Sequence, residues 1–148
     1  SDPLVREPLL ARLKAFESRS WSAKPTLGKG EGRAVTSPQD RRLEVGTVFE
    51  ASARDVDRMV RAGHAAQVEW DALGGEARAR LLDRAADLYE EHAEEFFSLC
   101  TREAGKTLID AILEVREAVD FLRFYASEAR RQFTRPLPLP RQRPPGPM

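Results

Sequence analysis

Apolar residues recur at three- and four-residue spacing through most of the chain from residue 52 onward. This spacing places them on one face of an α-helix, and its interruptions predict helices over residues 52–72, 76–104 and 107–133. A shorter stripe predicts another helix over residues 4–16. The longest stripe is formed by Leu108, Ile112, Val115, Val119, Leu122, Tyr125 and Ala129. The pattern indicates a mainly α protein whose apolar helix faces need partners.

A strand-like pattern precedes the long helices. Residues 33–36 and 43–49 are short runs separated by the turn-forming residues 37–40, and Val45 and Phe49 share one face of the second run. We therefore expect a two-stranded β element near residues 33–49. Residues 18–32 predict a linker, because their glycines lack the spacing and the strand–helix context of a dinucleotide-binding turn.

Polar residues mark the expected helix ends. Ser52 precedes Asp55 by three residues, as a capping box requires, and a hydroxyl at such a position accepts a free N–H of the first helical turn. Thr107 has the same relation to Asp110. Four acidic residues crowd the region around His92 and make a helix break there plausible: Glu90, Glu91, Glu94 and Glu95.

The Gly105-Lys106-Thr107 sequence invites comparison with a phosphate-binding loop. Such a loop has a glycine five residues before the Gly-Lys pair and a strand leading into it, whereas here that position is Cys100 within a predicted helix. Gly105 is better interpreted as the left-handed residue that ends this helix.

Composition narrows the function classes. Lys plus Arg and Asp plus Glu both number 24 in 148 residues, so the net charge of zero argues against a dedicated nucleic-acid binder. One cysteine and two histidines exclude an internal disulfide framework and a Cys/His zinc site, and favour a reducing, cytoplasmic location. We expect neither a membrane span nor a signal peptide, because no long uncharged apolar run is present.

The order and spacing of several motifs make the chain resemble the N-terminal part of the aldehyde dehydrogenase superfamily, over residues 35–139. The motifs are Ser37-Pro38-Gln39-Asp40, Val45-Gly46-Thr47-Val48, Asp55-Val56, Ala66, Trp70, Arg80-Leu81-Leu82, Ala85-Ala86-Asp87-Leu88, Glu103-Ala104-Gly105-Lys106 and Phe121-Leu122-Arg123-Phe124-Tyr125-Ala126. Residues 102–107 and 114–123 are most similar to the L-glutamate γ-semialdehyde (Δ1-pyrroline-5-carboxylate) dehydrogenase domain of bifunctional proline utilisation A proteins.

This resemblance implies NAD-dependent oxidation of L-glutamate γ-semialdehyde to glutamate, in proline catabolism, through a thiohemiacetal on a cysteine. In the family, the nucleophile, the general base, the oxyanion asparagine and the cofactor-binding strands all follow the region matched here. The resemblance therefore implies the helical front part of an α/β fold without a complete Rossmann sheet. We expect the chain alone to bind no NAD and to catalyse nothing.

The remaining candidate residues have mainly structural interpretations. Cys100 is expected to be a buried structural cysteine rather than a nucleophile. Glu103 and Glu114 are expected to form ion pairs near Lys106 and Arg116 rather than to act as acid/base residues. The resemblance also implies a possible structural site for a monovalent cation, with the backbone carbonyls of Val35 and Thr36 and the acidic side chain of Glu103 as oxygen ligands.

The sequence predicts a division of the chain into parts. Residues 1–32 are predicted to form the short helix and linker. Residues 33–140 are predicted to form the family-like part, which ends in an extended edge segment at the alternating Pro-Leu run, residues 136–140.

The C-terminal residues depart from the family pattern. Relatives usually continue Gly-Pro-Thr-Gly-Glu, whereas residues 141–148 form an Arg/Pro tail that we expect to be disordered. This departure suggests a truncated or frame-shifted reading frame.

Two partner hypotheses follow. The expected partner is the missing catalytic half. The alternative is a stand-alone interaction module whose stripe over residues 108–133 docks on another protein or on a second copy. RNA binding through residues 141–148 is disfavoured, because proline separates the arginines and no aromatic residue is interleaved with them.

Overall fold

The computed structural model describes residues 3–28 and 30–135. The predicted extended run at 136–140 and the predicted disordered tail at 141–148 lie outside these ranges. The helices are α1 (Pro3–Leu13, followed by a 3₁₀ turn at Lys14–Phe16), α2 (Ala53–Ala72), α3 (Gly74–Glu91), α4 (Ala93–Ala104) and α5 (Leu108–Phe133). The strands are β1 (Trp21–Ala23), β2 (Gly32–Thr36) and β3 (Glu44–Phe49). The predicted mainly α fold without a complete Rossmann sheet is confirmed.

The predicted helix ends are confirmed by their local contacts. The Ser52 hydroxyl accepts the Asp55 backbone N–H at 3.2 Å, and the Asp55 carboxylate accepts the Ser52 backbone N–H at 3.1 Å, which completes the capping box. The Thr107 hydroxyl accepts the Asp110 backbone N–H at 3.2 Å at the start of α5. The predicted helix over 76–104 divides at His92, where the chain leaves helical geometry between α3 and α4.

The sheet has one strand more than the sequence predicted. β3 is central, with β2 antiparallel on one side and β1 parallel on the other. β1 lies inside the predicted linker and spans only three residues, too few to show the alternation that signals a strand. Gly46 permits this pairing, since a Cβ there would come within 2.1 Å of the Trp21 carbonyl oxygen.

The core lies between α3, α4 and α5. Small side chains let α3 and α5 approach closely, and the buried apolar residues of these two helices are Ala79, Ala86, Ala111, Val115, Val119 and Ala126. Two arginines of α5 also pair with acids of α3: Arg130 contacts Asp83 at 2.7 Å, and Arg123 contacts Asp87 at 3.3 Å. Of the apolar stripe predicted on α5, Val115 and Val119 are buried, whereas Tyr125 is 56% exposed.

Other apolar faces have no cover in the described part of the chain. α2 buries none of its residues, and Val60 and Val68 are 66% and 78% exposed. The outer face of α5, opposite the core, exposes Ile109, Leu113, Phe121, Phe124 and Tyr125. No helix within the described ranges is long and apolar enough to cross a membrane.

Candidate functional site

The junction between α4 and α5 is a helix stop followed directly by a helix start. Gly105 has φ 68° and ψ 20°, and the Lys106 backbone N–H donates to the Cys100 carbonyl at 3.2 Å, which closes the last turn of α4. Pro38 of the β2–β3 turn packs against this point, because a Cβ on Gly105 would lie 2.9 Å from the proline Cγ. The junction thus fixes the β2–β3 turn onto the helices.

The polar side chains of this junction already form an ion pair and hydrogen bonds with neighbouring residues. Lys106 Nζ pairs with Glu114 Oε1 at 2.6 Å, and this contact raises the pKa of Lys106. The Thr107 hydroxyl, which caps α5, also donates to the Asp110 carboxylate at 2.7 Å. Neither Lys106 nor Thr107 therefore offers an open anion site, and the rejection of a phosphate loop is consistent with this geometry.

Of the two glutamates considered as acid/base residues, Glu114 forms the ion pair with Lys106 that the sequence predicted. Glu103 is exposed at the end of α4 and pairs with no other residue in the ranges 3–28 and 30–135.

Cys100 is only partly exposed on α4, and its environment opposes thiolate formation. Burial raises the pKa of the Cys100 thiol above its ordinary value, and the nearby carboxylate of Glu114 raises it further. A nucleophilic cysteine requires the opposite shift, because the thiolate is the reactive form.

The predicted cation ligands are partly brought together. Val35 and Glu103 both line a cavity of about 90 Å³ beside the sheet, together with Trp21, Ala23 and residues 45–48. Thr36 does not line this cavity, although a bulge between Val35 and Thr36 interrupts the β2–β3 ladder there. A carbonyl and a carboxylate are suitable ligands for a hard cation. The described ranges contain no cluster of three or more His, Cys, Asp or Glu side chains suited to a metal, and the cation site stays a prediction.

The described residues do not fit a dinucleotide cofactor. A dinucleotide site needs a parallel strand, a glycine-rich turn and a helix whose N-terminus faces the pyrophosphate. The only parallel pair in the described sheet joins β1 to β3, and no crossover helix of the βαβ type connects the two. Lys106, the cation beside the start of α5, is already paired with Glu114, and the carboxylate of Asp110 in the first turn opposes phosphate.

A polar network at the N-terminal end was not found by sequence reasoning. The Arg102 guanidinium donates to the backbone carbonyls of Phe16 and Arg19, and the Trp21 indole N–H donates to Glu95. These contacts join residues more than 70 positions apart in sequence, so neither apolar periodicity nor a capping motif predicts them. Trp21, an isolated tryptophan in the predicted linker, was the one feature of the sequence that hinted at this network.

Comparison with known proteins identifies the family. The chain matches the profile of the aldehyde dehydrogenase family over residues 27–144. It is 38% identical over 138 residues to the bifunctional protein PutA of Escherichia coli, covering 88% of this chain and 10% of that protein. It is also 32% identical over 130 residues to 1-pyrroline-5-carboxylate dehydrogenase of Geobacillus kaustophilus, covering 83% of this chain and 25% of that protein.

A solved structure agrees with these relatives. The 1-pyrroline-5-carboxylate dehydrogenase from Thermus, solved with bound NAD, superposes with a TM-score of 0.79 at 25% identity. The match covers 95% of this chain and 29% of that enzyme. The chain thus spans about a tenth of the PutA relative and less than a third of the Thermus enzyme. Sequence and fold lead to the same conclusion, that the chain belongs to the aldehyde dehydrogenase family.

Proposed function

We propose that this chain forms the N-terminal scaffold of an NAD-dependent aldehyde dehydrogenase that oxidises L-glutamate γ-semialdehyde to glutamate in the cytoplasm, and that it is not catalytic by itself. The similarity to PutA and to 1-pyrroline-5-carboxylate dehydrogenases supports the substrate. The observation that carries the second part is the environment of Cys100, the only cysteine in the sequence, whose thiol pKa is raised.

The chemistry of aldehyde oxidation explains why Cys100 matters. The reaction needs a thiolate to attack the aldehyde carbon, donors for the resulting oxyanion, and a bound nicotinamide to accept hydride. Burial raises the pKa of the Cys100 thiol, which disfavours the thiolate, and the described strands and helices lack the βαβ unit typical of a dinucleotide site. These functions then belong to residues of the remaining, catalytic part of such an enzyme.

The exposed apolar faces support a scaffold that packs against that catalytic part. Within the stripe at residues 108–133, proposed from the sequence as a docking face, Val115 and Val119 are buried and Tyr125 is exposed. The outer face of α5 adds further surface for docking, with large side chains such as Phe121 and Phe124, each more than half exposed. Exposed apolar patches of this kind mark interaction sites.

A second candidate function is a stand-alone interaction module, and the unburied helix α2 favours it. Val56, Val60 and Trp70 lie on one face of α2, each at least 48% exposed, and no other described element covers them. Size-exclusion chromatography separates the two candidates. A defined oligomer that also melts cooperatively on heating supports the module. Aggregation on the column, or gradual melting on heating, supports the scaffold.

The test of the main proposal is NADH formation by the purified chain with NAD and L-glutamate γ-semialdehyde. We expect none, and we expect the Cys100→Ser variant to behave identically. NADH formation by the parent chain that disappears in Cys100→Ser would show that Cys100 is a nucleophile after all, and the proposal would fail.

A further inference from the structure

Residues 14–23, here called the strap, run from the 3₁₀ turn at Lys14–Phe16 through β1 and lie across α4 and the edge of β3. The strap precedes residue 27, where the match to the family profile begins. None of its residues is buried; Phe16 and Trp21 are half-buried and the others are more exposed. Phe16 and Trp21 are therefore the main apolar contribution to its attachment.

Arg102 of α4 provides the central attachment. Its Nη1 donates to the carbonyl oxygens of Phe16 at 2.8 Å and Arg19 at 2.7 Å. The same guanidinium lies over the Trp21 ring, with its carbon 4.8 Å from the ring centroid. The Phe16 carbonyl also accepts the Arg19 backbone N–H at 3.2 Å, and the Arg19 carbonyl lies beyond the 3₁₀ turn, so Arg102 adds a charged donor to both.

Glu95 provides a second attachment on the same face of α4, seven residues or two helical turns before Arg102. Its Oε1 accepts the Trp21 indole N–H at 2.8 Å and pairs with Arg19 Nη2 at 3.0 Å. Just ahead of the strap, Arg12 pairs with Glu94 at 2.7 Å. Charged groups of α4 thus attach the strap in addition to the partial burial of Phe16 and Trp21.

The strap covers two features of the domain. β1 pairs with Gly46, Thr47 and Val48, so that β3 has a neighbour on both sides. Trp21 and Ala23 also form a wall of the cavity that contains Val35 and Glu103. Detachment of the strap would leave one edge of β3 unpaired and would remove that wall of the cavity.

We propose that the strap is a releasable latch, held closed by Arg102 and Glu95, which opens as a unit while α3, α4 and α5 stay folded. The helices keep a buried apolar core besides their ion pairs, whereas no residue of the strap is buried and charged groups provide much of its attachment, so salt weakens the strap more than the helices.

The experiment follows Trp21 in the full-length chain. Trp70→Phe removes the other tryptophan, so that Trp21 alone reports on the strap. Quenching of its fluorescence by the uncharged quencher acrylamide is measured at increasing salt, beside far-ultraviolet circular dichroism melting of the helices. In this background we expect Trp21 to be shielded at low salt and exposed at high salt, without loss of helix.

Arg102→Gln tests the latch directly. Loss of two charge-assisted hydrogen bonds should raise the open-to-closed ratio at low salt by about tenfold or more, with helix melting unchanged. Arg102→Lys keeps the positive charge but lacks the planar guanidinium group, so its open-to-closed ratio should fall between those of the parent and Arg102→Gln. Arg33→Gln is the matched control, because Arg33 forms an exposed ion pair with Glu50 away from the strap.

Two results would overturn the latch. One is equal quenching of Trp21 in the parent and in Arg102→Gln. The other is that Trp21 becomes exposed only when the helices melt, both in Arg102→Gln and in Glu95→Gln. The strap would then unfold together with the helices and would not open as a separate unit.

Discussion

At the scale of single residues, Gly105 combines two requirements that no other amino acid meets. Its φ of 68° is strained for residues with a Cβ, and a Cβ would also lie 2.9 Å from Pro38 Cγ. The sequence predicted the first requirement from the position of Gly105 after a helix. The second depends on the β2–β3 turn folding back onto α4, which no local pattern reveals.

Gly105→Ala should therefore destabilise the protein by more than backbone strain alone. Left-handed geometry costs about 1–2 kcal/mol for alanine, and displacement of Pro38 adds to this. Gly74→Ala is the matched control, since Gly74 has φ 74° but a methyl group added there would meet nothing within 4 Å. Urea denaturation should show a smaller loss of unfolding free energy for Gly74→Ala. Equal losses in the two variants would mean that the contact with Pro38 is unimportant.

Glu128 near the end of α5 gives a prediction about pH. Hydrogen bonds from Arg131 and then Gln132 lower its pKa from 4.5 to about 2. A carboxyl group with a depressed folded-state pKa stabilises the fold fully above pH 4.5, and this stabilisation is lost as the pH falls towards 2. Glu128→Gln should melt at a lower temperature than the parent at neutral pH. The two melting temperatures should become equal in acid. A difference that does not change with pH would contradict this assignment.

At the scale of elements, a close backbone contact joins the start of α3 to the end of α5. A Cβ on Gly75 would lie 2.4 Å from the Ala129 carbonyl oxygen and 2.8 Å from the Phe133 carbonyl carbon. These are backbone atoms, which cannot move aside without displacing the helix. Together with the buried alanines of both helices, Gly75 sets the distance between α3 and α5.

Gly75→Ala should separate the two helices at this end and cost on the order of 1–3 kcal/mol of unfolding free energy. Gly63→Ala, in the middle of α2 where the added methyl meets nothing within 4 Å, should instead stabilise its helix by up to about 1 kcal/mol. Chemical denaturation of both variants tests the contrast. A neutral Gly75→Ala would show that α3 and α5 are not packed as closely as described.

Sequence reasoning succeeded for elements with strong local signals and failed for those that depend on distant contacts. α2 and α5 begin within one residue of their predicted starts, because Ser52 and Thr107 cap them. β1 was missed, because its three residues become a strand only through pairing with β3. Of the predicted cation ligands, Val35 and Glu103 share a cavity, whereas Thr36 does not line it.

At the scale of the whole molecule, the distribution of apolar surface is the main clue to function. α3, α4 and α5 form a small core, while α2 and the outer face of α5 expose large apolar side chains to solvent. The chain also covers less than a third of the solved relative from Thermus. A scaffold that packs against a catalytic part of the same family accounts for both facts.

The most direct measurement of this account is a graft into an active relative. Residues 27–135 replace the matching segment of Escherichia coli PutA, to which this chain is 38% identical, and NAD-dependent oxidation of L-glutamate γ-semialdehyde is assayed. We predict that the grafted enzyme forms NADH, with or without Cys100→Ser in the grafted segment, because the scaffold positions the catalytic part without supplying its nucleophile. A soluble, folded graft that forms no NADH, or one whose activity depends on Cys100, would contradict the account.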